Sequence, residues 1–336
     1  MSKNKRLIVA LGMIISVVFL CIAFRNLDPE AVWGNIVRAN LLWLTLGVGI
    51  FFVSMLLIAW RWQFLLRAIQ RVPLSALSQL VAIGYTGNNV YPFRTGEILR
   101  IFLLRRNHHV PVAKTAMTII IERVFDGIVM LSFIILALYF VEIPSPEIHM
   151  MAEVGTPLFL LAVLLFFVLA ARPQGMRLLA ERVSRIFPAR LGKSILTLSE
   201  DIVGGLEGLR SPADLLGAVF ASYASWGVHA FVYWAVAFAF GINVGFMVMV
   251  LAVGVVNLAG LIPASPGQVG IFEFFTSLVL TAVGVDPDKA KAYALVLHVV
   301  IWLPVTMFGF YALVRQGLGW GAVSHAQEIG KSAVGG

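Results

Sequence analysis

From Leu215 to Val285 the chain runs for 71 residues with one charged side chain, Glu273. About 20 apolar residues suffice to cross the hydrocarbon of a bilayer as a helix. A run more than three times that length cannot lie on the surface of a water-soluble globule, and a chain of 336 residues has too small an interior to hide it. The rest of the sequence agrees. Apolar residues make up 60% and charged residues 12%, against roughly 45–50% and roughly 25% in soluble domains. The chain reads as an all-α polytopic membrane protein. A single cysteine, Cys21, excludes an intrachain disulfide scaffold. The net charge of +8 falls between the apolar runs, which points to anionic lipid headgroups and not to nucleic acid.

Six runs have the length of a full crossing: Leu7–Phe24, Leu41–Ala59, Thr115–Val141, Gly155–Ala171, Leu215–Phe240 and Ala292–Val314. The first follows Lys3, Lys5 and Arg6 as a signal peptide would, but no small-residue cleavage site closes it, so it reads as a retained helix. Two further apolar stretches, Leu74–Leu104 and Val244–Val285, are interrupted by Gly, Pro and Asn, and neither half of either is long enough to span. Loop charges give an orientation. Arg61, Arg67 and Arg71 form a basic patch on the cytoplasmic side, and residues 142–153 carry three glutamates and no Lys or Arg, placing them outside. Arg172–Arg210, with seven basic and four acidic residues, reads as a cytoplasmic amphipathic segment with Arg177, Arg182 and Arg185 on its polar side.

These signs predict six full helices plus two re-entrant broken hairpins, entering from opposite faces as an inverted repeat. The single membrane domain divides into a first helix and external loop (1–39), repeat one (40–141), a linking helix (155–171), the amphipathic segment (172–212), repeat two (213–314) and a cytoplasmic tail (315–336). Asn88 and Asn257 fall at matching places in the two breaks. Paired broken helices of this kind point to a transporter's binding site.

The first break holds Asn88, Asn89, Pro92, Arg94, Gly96, Glu97 and Arg100. Pro92 stops the arriving helix, and Gly96-Glu97 restarts one whose free amides, with the Arg94 guanidinium, suit an anion. The second break holds Asn257, Pro266, Gly267, Gly270 and Glu273. A carboxylate at such depth is costly unless protonated or paired, and Arg94, Arg123 or a bound headgroup is the expected neighbour of Glu273. Glu122, Arg123 and Asp126 share a helix within Thr115–Val141 and must face the bundle or a wet cavity, either as substrate groups or as scaffold. His229 and His298 read as hydrogen-bonded core residues, and His108-His109 as a solvated turn. No P-loop, Rossmann glycine pattern or zinc spacing occurs, so the sequence implies no cofactor, no metal and no catalytic residue.

The runs Asn88–Arg100, Glu122–Asp126 and Pro263–Glu273, in this order, resemble the flippase-like transmembrane region of the lysylphosphatidylglycerol synthases, over roughly residues 5–316. The resemblance implies a stand-alone member, without the soluble synthase domain, that moves a lipid or lipid-linked headgroup between leaflets of the plasma membrane with both termini cytoplasmic. The implied partners are an anionic or aminoacylated phospholipid or a polyprenyl-linked lipid, with a separate enzyme to modify it. A membrane-embedded, lipid-linked glycosyltransferase or other lipid-modifying enzyme is the competing expectation. Its nominal acids are Asp28-Pro-Glu30 and Asp286-Pro-Asp288.

Overall fold

The computed structural model describes residues 3–25, 27–91, 95–141, 173–185, 211–262 and 265–318, with positions 157, 160, 161, 164, 192 and 196 between them. Every regular element among the described residues is helical: α1 (Lys3–Ala23), α2 (Pro29–Val37), α3 (Leu41–Leu66), α4 (Leu74–Val90), α5 (Thr95–His108), α6 (Val112–Phe140), α7 (Pro173–Ser184), α8 (Pro212–Ala239), α9 (Phe246–Ala259), a 3₁₀ turn (Pro266–Gln268), α10 (Ile271–Ala282) and α11 (Pro287–Arg315). This is an all-α membrane protein. Among the described residues three helices, α3, α8 and α11, are long and apolar enough to cross a bilayer. α6 is 29 residues long but carries the Glu122-Arg123-Asp126 group. The Gly155–Ala171 run, the acidic 142–153 loop, Pro92 and Arg94 lie outside the described residues, apart from isolated positions in the first of these.

Both interrupted stretches fold as helix, break, helix. α4 packs on α5, and α9 on α10. In the first hairpin, close approach depends on missing side chains. A Cβ on Gly87 would stand 2.6 Å from the Gly96 Cα, and one on Gly84 would stand 2.7 Å from the Arg100 Cδ.

The bundle is built around α3 and α8, which run antiparallel. The Asn40 amide donates to the Ala239 carbonyl at 2.9 Å near one end, and Arg67 pairs with Asp214 at 3.2 Å near the other. Ser54 Oγ donates to the Ser225 carbonyl between them. α4 lies against α11, and α9 against α6. α11 contains Pro304, which removes one helical hydrogen bond. α4 packs here through polar side chains: Thr86 Oγ1 lies 3.3 Å from the Val305 and Thr306 carbonyl oxygens, and Asn89 Nδ2 reaches Trp302's at 3.5 Å.

The Arg25–Asn40 loop contains a helix that the search for membrane-length runs passed over. Asp28 caps α2 by accepting from the Glu30 and Ala31 amides, and Pro29 occupies its first turn. α1 packs on α10. Its buried Ser16 accepts from the Ser265 amide at 2.8 Å, pinning the second break.

Candidate functional site

Six charged side chains from three helices converge on the first break. Glu122, fully buried in α6, receives both terminal nitrogens of Arg100 from α5 at 3.0 and 2.9 Å. It also pairs with Arg61 of α3 at 3.1 Å and with Arg123 at 2.8 Å. Arg61 and Arg123 both reach Asp126, the latter at 3.3 Å, and Trp226 of α8 donates its indole N–H to Asp126 at 2.7 Å. Glu97 stands 3.8 Å from Arg123. The Arg100 guanidinium carbon stands over the Trp62 ring, 4.0 Å from its centroid, and Trp62 itself donates to Thr118. Three guanidiniums thus face three carboxylates. That balance lets Arg61 and Glu122 sit at 1% and 0% exposure, since a buried ion is tolerated only when paired and hydrogen-bonded. Arg123, at 42%, is the half-exposed cation of the group.

The cluster forms one wall of a cavity of about 960 Å³. Both breaks reach it. Asn88, Asn89, Glu97, Arg100, Glu122, Arg123, Asp126, Asn257, Pro266 and Gly267 all line it, together with apolar Ile58, Val81, Met130, Val256 and Ile301. The breaks also touch each other, for a Cβ on Gly267 would lie 3.5 Å from the Asn89 carbonyl oxygen. Gly96, Gly270 and Glu273 are not among the lining residues. Gly96 is the crossing point of α4 and α5, and its amide donates to Asn88 Oδ1 at 2.9 Å. The start of α5, read from sequence as free amides for an anion, is therefore capped in part by the preceding helix. Asn89 binds Thr306 at 2.8 Å, and Asn257 donates to the Val253 carbonyl of its own helix.

Glu273 has a different neighbour from the arginines expected of it. One carboxylate oxygen accepts the Gly270 amide at 2.6 Å, closing the first turn of α10. The other meets His298 Nδ1 of α11 at 2.5 Å. His298 Nε2 donates to the Gly267 carbonyl at 3.0 Å, and its ring stacks on Phe272. His298 lines the cavity and is more than a core histidine. Gly270, at φ +91°, lets α1 approach: a Cβ there would lie 2.5 Å from the Ser16 carbonyl oxygen.

Arg61 and His298 do more in these groups than the sequence assigns them. Arg61 was assigned to a cytoplasmic patch, yet it falls three residues after Ile58 and four before Leu65, both buried. That spacing puts it on the inner face of α3. His298 lies beyond the 71-residue run that drew attention to Glu273, so only the tertiary fold joins them.

A helical membrane protein whose two interrupted hairpins meet at a charge-lined cavity defines a class, and sequence comparison gives the family within it. The lysylphosphatidylglycerol synthase transmembrane region matches residues 9–309, and the chain belongs to that family. It is 26% identical to Glycosyltransferase AglD of Haloferax volcanii, over 88% of this chain and 52% of that protein, so it spans about half the length of that relative. It is 24% identical to UPF0104 membrane protein PH1989 of Pyrococcus horikoshii, over 84% of this chain and 89% of the relative. A UPF0104 membrane protein of Methanothermobacter thermautotrophicus is 23% identical over 94% and 95% of the two chains.

Proposed function

We propose that this protein translocates a lipid or lipid-linked headgroup between the leaflets of the plasma membrane, with the headgroup held in the cavity where the two breaks meet. One observation carries the proposal: a single cavity joins a compensated Arg–carboxylate cluster to an apolar wall, which is the two-sided surface an amphiphile needs. Arg123, half exposed though shared among Glu97, Glu122 and Asp126, is the cation of the cluster that a phosphate would reach first, and the sequence adds Arg94 as a second candidate. The substrate is an anionic or aminoacylated phospholipid or a polyprenyl-linked lipid, supplied by a separate lipid-modifying enzyme.

The same proposal includes six crossings and two re-entrant hairpins related by an inverted repeat, with cytoplasmic termini. Several features support the repeat. α3 and α8, the first helix of each half, pack antiparallel; α4 meets α11 as α9 meets α6. Asn88 and Asn257 each sit two residues before the end of their helix. Glu97 and Glu273 are each the third residue of theirs, and the step along the chain that carries Glu97 to Glu273 also carries Glu122 to His298. The enzyme alternative gains nothing here. Asp28 and Asp286, two of its nominal acids, are the N-caps of α2 and α11, each accepting from two backbone amides.

The test is flipping of a fluorescent headgroup-labelled phospholipid by the purified protein in vesicles, read with an impermeant quencher. Arg123→Ala should slow flipping by about tenfold, the order of one charge-assisted contact, with little change in melting temperature, because Arg61 and Arg100 still neutralise Glu122. Arg94→Ala should abolish flipping. Rates equal to those of protein-free vesicles for the wild type would overturn the proposal.

A further inference from the structure

The hydrogen bonds of His298 fix a proton count. A carbonyl oxygen can only accept, so Nε2, 3.0 Å from the Gly267 carbonyl, carries a hydrogen. Nδ1 and the Glu273 oxygen, 2.5 Å apart, can both be acceptors, so one proton must lie between them. The second Glu273 oxygen is occupied by the Gly270 amide. The pair therefore holds two protons in all and is neutral overall, whichever partner bears the shared one. If one proton leaves to water in the cavity, the pair becomes an anion and one of its two contacts must fail. Loss from Nδ1 would set a ring lone pair against a carboxylate. Loss from Nε2 keeps the stronger, charge-assisted bond to Glu273 and turns a lone pair on the Gly267 carbonyl instead. The weaker contact is the one given up.

That contact ties the second break to α11, as the Ser265 amide on Ser16 ties it to α1. Gly267 and Gln268 adopt left-handed backbone, φ +72° and +59°, the latter costly for a residue with a side chain. Ser265, Pro266, Gly267 and Gln268 line the cavity, as does His298. We propose that His298 and Glu273 form a proton-operated latch: the two-proton pair pins the Pro266–Gln268 turn to α11, and loss of one proton releases it and reshapes the cavity. This deepens the translocation proposal and rests on it only where lipid movement is concerned. Few other titratable groups on the packed elements compete for the role. α4 and α9 have no charged residue, α4 contributing only Tyr85; the described side chains of α1 include Cys21 alone. α8 offers His229, Tyr223, Tyr233 and Asp214, the last held by Arg67, and α3 offers Arg61, held by Glu122 and Asp126. α2 carries Glu30 at its capped first turn, and α11 itself has Asp288, Lys289 and Lys291 in its first two turns, Tyr293 and Tyr311 further along, and Arg315 in its last turn.

A spin label on Ser265→Cys, in a Cys21→Ser background of the full chain, reads the turn directly. Its mobility should rise as the pH is raised and the pair gives up a proton. Glu273→Gln donates an amide N–H to Nδ1 while still accepting from Gly270, and so should keep the label immobile at every pH. His298→Ala should leave it mobile at every pH. A pH profile unchanged in Glu273→Gln, or a wild-type label indifferent to pH, would overturn the latch. In vesicles, flipping should follow the same pH profile in the wild type and lose it in Glu273→Gln; flipping indifferent to pH in both would overturn its part in transport. A label that titrates in a protein that flips no lipid would support the latch and count against translocation.

Discussion

Glu122 is the residue on which the first cluster depends. It alone contacts all three arginines, and two of them, Arg61 and Arg100, are buried. Removing its charge takes the carboxylate from the buried Arg100 and leaves the buried Arg61 with Asp126. Glu122→Gln should therefore lower stability by about 3–5 kcal/mol, the usual effect of orphaning a buried charge, seen as a large fall in melting temperature in detergent. Arg123→Ala should barely move it. A small shift in Glu122→Gln would mean that water reaches the cluster. The sequence made Glu122, Arg123 and Asp126 conspicuous because three charges in an apolar helix demand a partner. It concealed Arg61, because an arginine near the end of an apolar run has the same composition whether it faces headgroups or the interior. Only the register with Ile58 and Leu65 distinguishes the two.

Among the elements, the α4–α5 hairpin is the tightest part of the fold. Gly84, Gly87 and Gly96 let the two helices touch backbone to backbone. Gly87→Ala drives a methyl group into the Gly96 backbone and should cost about 1–3 kcal/mol through overpacking. Gly227 in α8 has no atom within 4 Å of its missing Cβ, so Gly227→Ala should stabilise by about 0.5–1 kcal/mol through helix propensity. Opposite shifts in melting temperature check both at once. The breaks themselves were legible, since Pro92, Pro266 and the glycines around them forbid a continuous helix. That the breaks touch was not, because contact between residues such as Asn89 and Gly267 leaves no local pattern. α2 was missed for another reason: its Asp-Pro start is a plain helix signal, but nine residues fall below any membrane threshold.

For the whole molecule, the alternation of basic and acidic loops predicts which side each lies on. A cysteine at Ser145, in a Cys21→Ser background, should react with an impermeant maleimide in intact cells, and one at Ser184 should not. The reverse pattern would contradict the inverted repeat. The long-range pairing has a consequence for how the chain is made. Arg61 and its partner Asp126 are 65 residues apart. Since α3 leaves the ribosome well before α6, its arginine, five residues from the helix end, has neither Glu122 nor Asp126 to pair with when it first meets the membrane. α3 is thus an incomplete helix at birth. Its buried cation is neutralised only by a segment translated later, and a chain stopped short of α6 bears that cation without its carboxylates.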